Sequence, residues 1–406
     1  MTDNPATNPA AAASRPHGPL SGYRILELAG LGALPYGTMK LADMGADVIR
    51  LNRVSEAPAE TPGPLEPDAR QFWREFDRGR RSIAVDLKSP EGVALVMRLA
   101  ESSDVLLEAF RPGVAERLGL GPQDVMARNP KLVYGRLTGW GQDGPLAHVA
   151  GHSLNYESLS GAIGSIGPVG GPPVPLLQVL GDFAGGGLHL AYGVVCALLE
   201  ASRTGKGQVV DAAMLDGVMS LYSVFYGMSA SGMHTEEIGS NLFDGGAPFY
   251  NVYETSDGKY VTAAPIEPHF YRQLLDALQI PADELPEQYD RSHWPEVRER
   301  LASVFRTKTR DEWQELLEGT DVCFAPVMRL AEAHEHPHNV ARGSFVTTPD
   351  GGRQLRPSPR LSGMADNGDA VNPSYAYVGA DTDVVLGEFG LDPVEIGALR
   401  AAGVVV

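Results

Sequence analysis

Short apolar runs alternate with stretches of helical periodicity through the first part of the chain. The runs are six or seven residues long and occupy residues 24–29, 46–51, 104–110 and 132–138. Apolar residues at three- and four-residue spacing, which is typical of helices, fill residues 35–44 and 90–103. Strands that alternate with helices predict parallel βαβ units. We therefore expect an α/β fold with an open, doubly wound, Rossmann-like parallel sheet.

The longest apolar stretch covers residues 185–201 and contains His189 and several glycines. It is too short and too interrupted to span a bilayer comfortably, so we expect a buried core helix. A strand-like run follows at residues 209–212, and a helical pattern continues to about residue 232.

The pattern changes at residue 251, where a second and smaller α+β domain is predicted. Residues 251–263 have the alternation of a β-hairpin, with Asp257-Gly258 at its turn. Helical patterns follow at residues 268–278 and 294–307, and a last one at residues 392–402.

These patterns predict five segments along the chain. They are a flexible tail (1–17), a large α/β domain (18–215), a linker helix region (216–245), a small α+β domain (246–330) and a return segment that completes the large domain (331–406). Residues 55–68 are rich in Pro, Glu and Ala, which is typical of an exposed loop.

The formal charge of −18 argues against nucleic acid as a partner and against anchoring to an anionic membrane. The chain has two cysteines, Cys196 and Cys323, and both have apolar neighbours. We interpret them as buried thiols of a reducing compartment. Residues 1–16 lack the apolar core of a signal peptide, so the sequence predicts a cytoplasmic protein.

Basic residues are concentrated in one part of this acidic chain. Ten of the 33 Lys and Arg residues lie between Arg50 and Arg111. Arg53 and Arg111 follow predicted strands, and Arg81 lies in a predicted turn at residues 78–82. The carboxyl ends of parallel strands bind ligands in such sheets, and Arg suits phosphates. The cluster therefore indicates an anionic ligand, whereas three further arginines are interpreted as solvated surface, namely Arg70, Arg74 and Arg98.

The glycines after the first strand invite a dinucleotide-binding interpretation, but Pro35 replaces the third glycine of that motif. The second strand ends at Arg53 and not at an acidic residue that could hold a ribose. A nicotinamide cofactor is therefore not expected. Three histidines alternate in a Pro-containing segment, but we expect no metal site there: His334, His336 and His338.

Three ionisable residues in distinctive settings are candidates for chemistry, namely His152, Asp182 and Glu267. An imidazole and a carboxylate can move a proton between the two faces of a carbon, and a second carboxylate can orient the imidazole. An aspartate can instead attack an acyl group. Each residue alone is better explained as a helix cap or a structural polar group, and the residues by themselves leave both chemistries open.

Asp182 is expected just ahead of a helix that starts at about residue 183, followed by three consecutive glycines at 185–187. Glycine weakens a helix by roughly 1 kcal/mol relative to Ala, so these positions require close backbone approach. The approaching group is either a ligand or a packed second helix.

The chain resembles the family III CoA-transferases over nearly its whole length, from residue 18 to the last helix. The matching motifs are Leu26-Glu-Leu-Ala, Ala42-Asp-Met-Gly-Ala-Asp-Val-Ile-Arg, Asp86-Leu-Lys-Ser, Phe110-Arg-Pro-Gly-Val, Thr138-Gly-Trp-Gly-Gln-Asp-Gly-Pro, Gly181-Asp-Phe, Gly205-Lys-Gly-Gln-Val-Val-Asp and Asp244-Gly-Gly-Ala-Pro-Phe-Tyr. Within the family it is most similar to the α-methylacyl-CoA racemases, through Gly151-His, Asn155-Tyr, Gly181-Asp-Phe and Ile266-Glu-Pro.

The resemblance implies epimerisation at C2 of a 2-methylacyl-CoA thioester by proton transfer through an enolate. His152 and Asp182 would be the two acid/base groups, and Glu267 would support His152. The glycine-rich backbone after Asp182 would stabilise the enolate oxygen. Arg53, Arg81, Arg111 and Tyr156 would bind the CoA moiety, with no further cofactor.

The resemblance also implies an interlocked homodimer in which Glu267 assists His152 of the partner subunit. Two features depart from typical racemases, namely Ser153 in place of an acidic residue and the long loop at 55–68. The alternatives are a CoA-transferase, in which Asp182 forms an acyl anhydride, and a catalytically silent acyl-CoA binding protein.

Overall fold

The structure is a computed structural model that describes residues 18–28, 30–57, 75–348, 352–364 and 377–406. Its residues divide into two compact units. The large unit comprises Met1–Tyr156, Leu177–Ser220 and Ala341–Val406, and the small unit comprises Glu157–Leu176 and Leu221–Val340. Several predicted features fall largely or wholly outside the described residues: the tail at 1–17, most of the 55–68 loop, Arg70 and Arg74.

The large unit is built on a six-stranded parallel sheet with strand order β3-β2-β1-β4-β5-β6. The order reverses between β1 and β4, as in a doubly wound sheet. The predicted fold class is therefore confirmed. The strands are β1 (Arg24–Leu28), β2 (Asp47–Asn52), β3 (Arg80–Ala84), β4 (Val105–Glu108), β5 (Val133–Thr138) and β6 (Val209–Ala213).

Consecutive side chains of a strand point to opposite faces of a sheet, so strands that are apolar throughout give the sheet two apolar faces. Helices cover both faces here. On β1, Ile25 packs into one apolar cluster and Leu26 into another. The helices of the large unit, or mainly of it, are α1 (Ala33–Asp43), α2 (Pro90–Glu101), α3 (Val114–Arg117), α4 (Pro122–Arg128), α5 (Ser153–Leu159), α6 (His189–Thr204) and α7 (Met214–Leu221).

Strand β3 was not predicted, since its sequence begins with two arginines and was interpreted as a turn. Arg80 is nevertheless buried, and its Nη1 donates to Glu27 Oε2 at 2.6 Å. Burial alone would raise the pKa of Glu27, but the charges of Arg80 and Arg50 and hydrogen bonds from Arg80 and Thr38 lower it below its usual value. A charged residue thus fills a strand position because a buried carboxylate pairs with it.

The apolar stretch forms α6, which continues from a π-helical segment at Val179–Leu188. Together they are long and apolar enough to cross a membrane by length and composition, although core helices of soluble proteins meet the same criteria. The expected core helix is present, because one face of α6 packs into the core of the large unit through Leu190, Val194 and Leu198, but only 44% of its most apolar part is buried. Cys196 lies on this helix and is exposed, as is Cys323, so the prediction of buried thiols is wrong.

The small unit contains a three-stranded antiparallel sheet of order β7-β8-β9, formed by β7 (Asn251–Glu254), β8 (Tyr260–Ala263) and β9 (Phe324–Pro326). The first two strands are the predicted hairpin around Asp257-Gly258. An apolar core that includes Phe249, Phe305 and Trp313 joins the sheet to its helices. These are α9 (Pro268–Ala277), α10 (Trp294–Phe305) and α11 (Arg310–Leu317), and α8 (Ser223–Ala230) also belongs to the small unit.

The chain ends in the large unit. After α12 (Pro337–Ala341) come the antiparallel pair β10 (Phe345–Thr347) and β11 (Arg353–Leu355), then α13 (Thr382–Glu388) and α14 (Pro393–Ala401). The division differs from the predicted segments in three places, because the small unit also includes residues 157–176 of the predicted large domain, residues 221–245 of the predicted linker region and residues 331–340 of the predicted return segment.

Candidate active site

The carboxyl ends of the parallel strands form one edge of the large sheet, and two of the predicted arginines lie there. Arg53 directly follows β2, and Arg111 follows β4 at the reversal of strand order. Both side chains are exposed, and neither forms an ion pair with another described residue. Two exposed guanidinium groups beside the switch point of a doubly wound sheet are well placed for an anionic ligand.

The turn that carries Arg111 is fixed by a buried carboxylate at the end of β4. Glu108 accepts hydrogen bonds from the backbone N–H of Phe110 at 2.6 Å and from Arg136 Nε at 2.9 Å. Burial raises the pKa of Glu108, and the hydrogen bonds from Phe110 and Arg136 oppose this shift. A rigid turn positions Arg111 better than a mobile loop would.

Tyr156 is buried beside the same edge, and two glycines make room for its ring. A Cβ added at Gly139 would overlap the phenol ring, and one added at Gly151 would lie 2.8 Å from it. The ring also packs edge-on against Trp140, with 4.7 Å between centroids. The glycines in the motifs around Trp140 and His152 are therefore required by the packing of Tyr156.

Asp182 is close to Tyr156. Burial raises the pKa of the Tyr156 hydroxyl to about 12, the charge of Asp182 adds to this shift, and the charge of Arg111 opposes it. The backbone N–H of Asp182 donates to Ser153 Oγ at 3.2 Å. The structure thus gathers Asp182, Tyr156, Arg111 and the residue next to His152 at one place.

The helical position of Asp182 differs from the prediction. It lies inside the π-helical segment that begins at Val179, not ahead of a helix, and its N–H also donates to the carbonyl of Gln178 at 3.2 Å. Short π-helical segments are rare and often occur at functional sites.

The glycine run after Asp182 is explained by helix packing. A Cβ at Gly187 would overlap the Ala33 carbonyl in α1, and one at Gly185 would lie 2.8 Å from the Val218 nitrogen in α7. All three glycines are buried. Neighbouring helices therefore account for the close approach at these glycines, and stabilisation of an enolate oxygen by this backbone stays a prediction.

Aromatic rings fix the other side of this segment. Phe183 packs against Tyr36 of α1 with 5.0 Å between centroids and against Phe76 with 5.3 Å. Since Phe183 follows Asp182 directly, this aromatic cluster limits the movement of the Asp182 backbone.

His152 is exposed and immediately precedes α5. Its backbone N–H donates to Asn155 Oδ1 at 3.0 Å, and its carbonyl accepts from the Asn155 N–H at 2.8 Å. Asn155 thereby holds the backbone of His152 at the start of the helix. Asn155 belongs to a motif shared with the racemases, and its positioning role is visible only in the structure.

Arg81 lies at the opposite edge of the sheet. Its Nη2 pairs with Asp47 at 2.7 Å and its Nη1 with Glu388 at 2.9 Å. A guanidinium held by two carboxylates at the amino ends of the strands does not fit the predicted role in binding phosphate. Arg98 also pairs with an acid, Glu395 at 2.6 Å, on the surface as interpreted.

Glu267 lies in the small unit at the N-cap position of α9, where its exposed side chain makes no capping hydrogen bond. Pro268 follows at the first helical position, as predicted for a helix-start acid. The charge of Glu267 acts on Tyr289 and Cys323 of the same unit.

The sequence His334-Glu-His-Pro-His has the spacing of a zinc-binding HExxH motif, although no metal site is predicted there. His334 lies in a turn ahead of α12, so the outer histidines do not share a helical face. His336 pairs with Glu318 at 2.8 Å. In the described part of the chain, no group of three His, Cys, Asp or Glu residues is arranged to hold a metal ion.

A cavity of about 210 Å³ opens in the small unit. Its walls come from α8 and the residue before it, from the segment 160–165, and from a loop folded around buried Asn241. Tyr226 closes one side by donating from its hydroxyl to the Ser160 carbonyl at 2.6 Å. The sequence predicts most of these residues in the linker helix region at 216–245 and residues 160–165 in the large domain.

Comparison with known proteins agrees with this geometry. The family model of CoA-transferase family III matches residues 20–382. The chain is 42% identical to human alpha-methylacyl-CoA racemase over 94% of this chain and 96% of that protein. It is 29% identical to acetyl-CoA:oxalate CoA-transferase of Acetobacter aceti, over 87% and 92% of the two chains.

A solved structure has the same fold. The CAIB/BAIF family protein from Brucella suis superposes with a TM-score of 0.77 at 25% identity, over 92% of this chain and all of that one. The chain therefore belongs to CoA-transferase family III, as the sequence motifs indicated.

Proposed function

We propose that this protein is an epimerase that interconverts the two C2 epimers of 2-methylacyl-CoA thioesters. The observation that carries the proposal is 42% identity to a racemase over nearly the full length, together with the presence of His152, Asp182 and Glu267. Asp182 lies close to Tyr156 and to Ser153, the residue after His152. This arrangement supports a single site in the large unit that contains both His152 and Asp182.

In the proposed reaction, the His152 imidazole removes the proton from C2 of one epimer. The C–H electron pair moves into the thioester carbonyl and forms a planar enolate. The Asp182 carboxyl group, in its protonated form, returns a proton to the opposite face of C2. The groups exchange roles in the reverse direction, and exchange with water restores their starting protonation states.

The CoA moiety would bind at the carboxyl-end edge of the sheet. Arg53 and Arg111 supply positive charge there, and Tyr156 supplies a hydroxyl that stays protonated at neutral pH, since its pKa is raised to about 12. Arg81 is not included, because Asp47 and Glu388 occupy its guanidinium.

We also propose that the enzyme is a homodimer. One face of α6 and of the residue directly before it exposes four apolar side chains at four- and three-residue spacing, which supports burial of this helix against a second copy. They are Leu188, Tyr192, Val195 and Leu199. In such a dimer, Glu267 would orient His152 of the partner subunit. Sedimentation would test this, and a fully active monomer would contradict it.

The reaction is tested by incubating a single epimer of a 2-methylacyl-CoA thioester in deuterium oxide. We expect deuterium at C2 together with formation of the opposite epimer, followed by NMR. Heat-denatured protein controls for spontaneous exchange. Turnover without incorporation of deuterium would contradict proton transfer through an enolate.

The alternative is a CoA-transferase in which Asp182 forms an acyl anhydride, as the similarity to a transferase of Acetobacter aceti allows. Transfer of CoA to added free acids, without C2 exchange, would support it. Binding of acyl-CoA with neither reaction would instead indicate a silent homologue. The free cysteines suit a reducing compartment, and we place the enzyme in the cytoplasm.

A further inference from the structure

The segment that carries Glu267 joins β8 to α9, and side chains from a separate part of the small unit hold its backbone. The Ile266 carbonyl accepts two hydrogen bonds, one from Tyr289 Oη at 2.7 Å and one from Gln288 Nε2 at 2.8 Å. Gln288 Nε2 also donates to the Pro265 carbonyl at 3.1 Å. Two adjacent side chains thus bind the two carbonyls that precede Glu267.

This segment has few backbone hydrogen bonds of its own. Pairing with β7 ends at Ala263, and prolines at 265 and 268 lack an N–H group. Ala264 N–H donates to the Cys323 carbonyl at 2.9 Å, and Ile266 N–H to the Ala264 carbonyl at 3.0 Å. The position of the Ile266 carbonyl therefore depends on side-chain donors.

The two donors are themselves anchored to the core of the small unit. Trp294 Nε1 donates to the Gln288 carbonyl at 3.0 Å. The Tyr289 ring packs edge-on against buried Phe249, with 5.2 Å between centroids, and Trp294 packs against the same ring. A rigid aromatic core is thus connected, through two hydrogen-bonding side chains, to the backbone beside Glu267.

The Tyr289 hydroxyl is also within electrostatic reach of the Glu267 carboxylate. Burial raises the pKa of Tyr289, and the negative charge of Glu267 raises it further. Tyr289 is half exposed, so the fold does not need its hydroxyl to complete a buried network. Its hydrogen bond to Ile266 serves the segment that carries the acid.

We propose that Gln288 and Tyr289 are positioning residues that fix Glu267 in the orientation needed to support the imidazole of the partner subunit's His152. The inference rests on the proposed epimerase function and on the role of Glu267 within it. Gln288 and Tyr289 act through the backbone of residues 265–267 and contact neither substrate nor the reacting atoms.

The first test removes each donor while keeping its shape, in Tyr289→Phe, Gln288→Met and the double variant of the full-length enzyme. A small displacement of a catalytic group costs up to about 100-fold in rate. We expect kcat to fall about 10-fold in each single variant and about 100-fold in the double variant, with KM changed less than about twofold.

Matched controls in the same unit are Tyr260→Phe, which removes an exposed hydroxyl on β8, and Gln314→Met, which removes an amide bonded to Glu318. Both should keep the activity of the unmodified enzyme. Unchanged kcat in the Tyr289 and Gln288 double variant would overturn the proposal.

The second test repeats the substitutions in a Glu267→Gln background. If Gln288 and Tyr289 act only through Glu267, replacing them should cause no further loss of kcat in the Glu267→Gln background, because the carboxylate that they position is already gone. A general structural role predicts the same additional loss in both backgrounds and would overturn the proposal. Thermal melting of each variant separates unfolding from mispositioning.

These results also distinguish the inference from the proposed function. If the single epimer fails to exchange its C2 proton in the unmodified enzyme, the epimerase proposal itself is wrong. If exchange occurs and Glu267→Gln lowers kcat, but the Gln288 and Tyr289 variants do not, only the positioning role is wrong.

Discussion

The two edges of the six-stranded sheet use arginine in opposite ways. At the amino ends of the strands, Arg24 and Arg81 both pair with Asp47, at 3.5 and 2.7 Å, and Arg81 also pairs with Glu388. At the carboxyl ends, Arg53 and Arg111 are exposed and form no ion pair with any other described residue. Paired arginines stabilise the fold, whereas unpaired ones remain available for an anionic ligand.

The difference follows from the topology of a parallel sheet. Loops at the carboxyl ends lead into helices and leave a crevice where the strand order reverses. At the amino ends, α13 lies against β3 and contributes Glu388, which pairs with Arg81. The residue type is the same at both edges, and the available partners decide its role.

The largest expected effect is on chemistry at the carboxyl edge. His152→Ala and Asp182→Ala should each lower kcat about 1000-fold, the range for loss of a general acid or base. Conversion of each epimer, followed separately, measures the effect. Full activity in the variant lacking both groups would remove this edge as the reaction site.

The next effect concerns the packing that places Asp182. Gly187→Ala should destabilise the protein by about 3 kcal/mol, because the new methyl group overlaps the Ala33 carbonyl. Gly397→Ala in α14 is the control, since nothing lies within 4 Å of its Cβ position. Urea denaturation measures both, and equal stabilities would contradict the role of helix packing.

Because the two edges use arginine differently, replacing Arg81 should affect mainly stability and replacing Arg111 should affect mainly KM. Arg81→Ala should lower stability by about 2 kcal/mol, because Asp47 and Glu388 lose a partner, and should leave KM unchanged. Arg111→Ala should raise KM for the acyl-CoA about 10-fold with little loss of stability. Steady-state kinetics and thermal melting separate the two effects. The reverse pattern would show that the edges had been assigned to the wrong roles.

The smallest effect is on the titration of Tyr156. Asp182→Asn removes a negative charge and should lower the pKa of Tyr156 from about 12, whereas Arg111→Ala removes a positive charge and should raise it. The difference in ultraviolet absorbance between each variant and its Tyr156→Phe counterpart isolates this tyrosine. Identical titrations would mean that the three groups are farther apart than the structure indicates.

Most of the large sheet could be predicted from its sequence. Five of the six strands are apolar because helices cover both faces, and such runs are visible without a structure. Strand β3 was missed because Arg80 fills a buried position, which is stable only because Glu27 lies across the sheet. Local patterns do not reveal a partner more than fifty positions away in the chain.

The candidate site was predicted as a set of residue types and motifs, but its assembly was not. The sequence predicted that the glycines at 185–187 permit close approach, and only the structure shows that α1 and α7 approach, not a ligand. It also suggested three CoA-binding arginines, of which Arg81 lies among carboxylates at the wrong edge. Cys196 has apolar neighbours along the chain and is nevertheless exposed on α6.

The sequence by itself determined the fold class, the family and the identity of the candidate acid and base, because these depend on residue types and short-range periodicity. The tertiary structure decided which arginines remain unpaired, why the glycines are needed, and that Gln288 and Tyr289 hold the backbone beside Glu267. Those outcomes depend on contacts between segments far apart in the chain, and such contacts form only when the segments pack together.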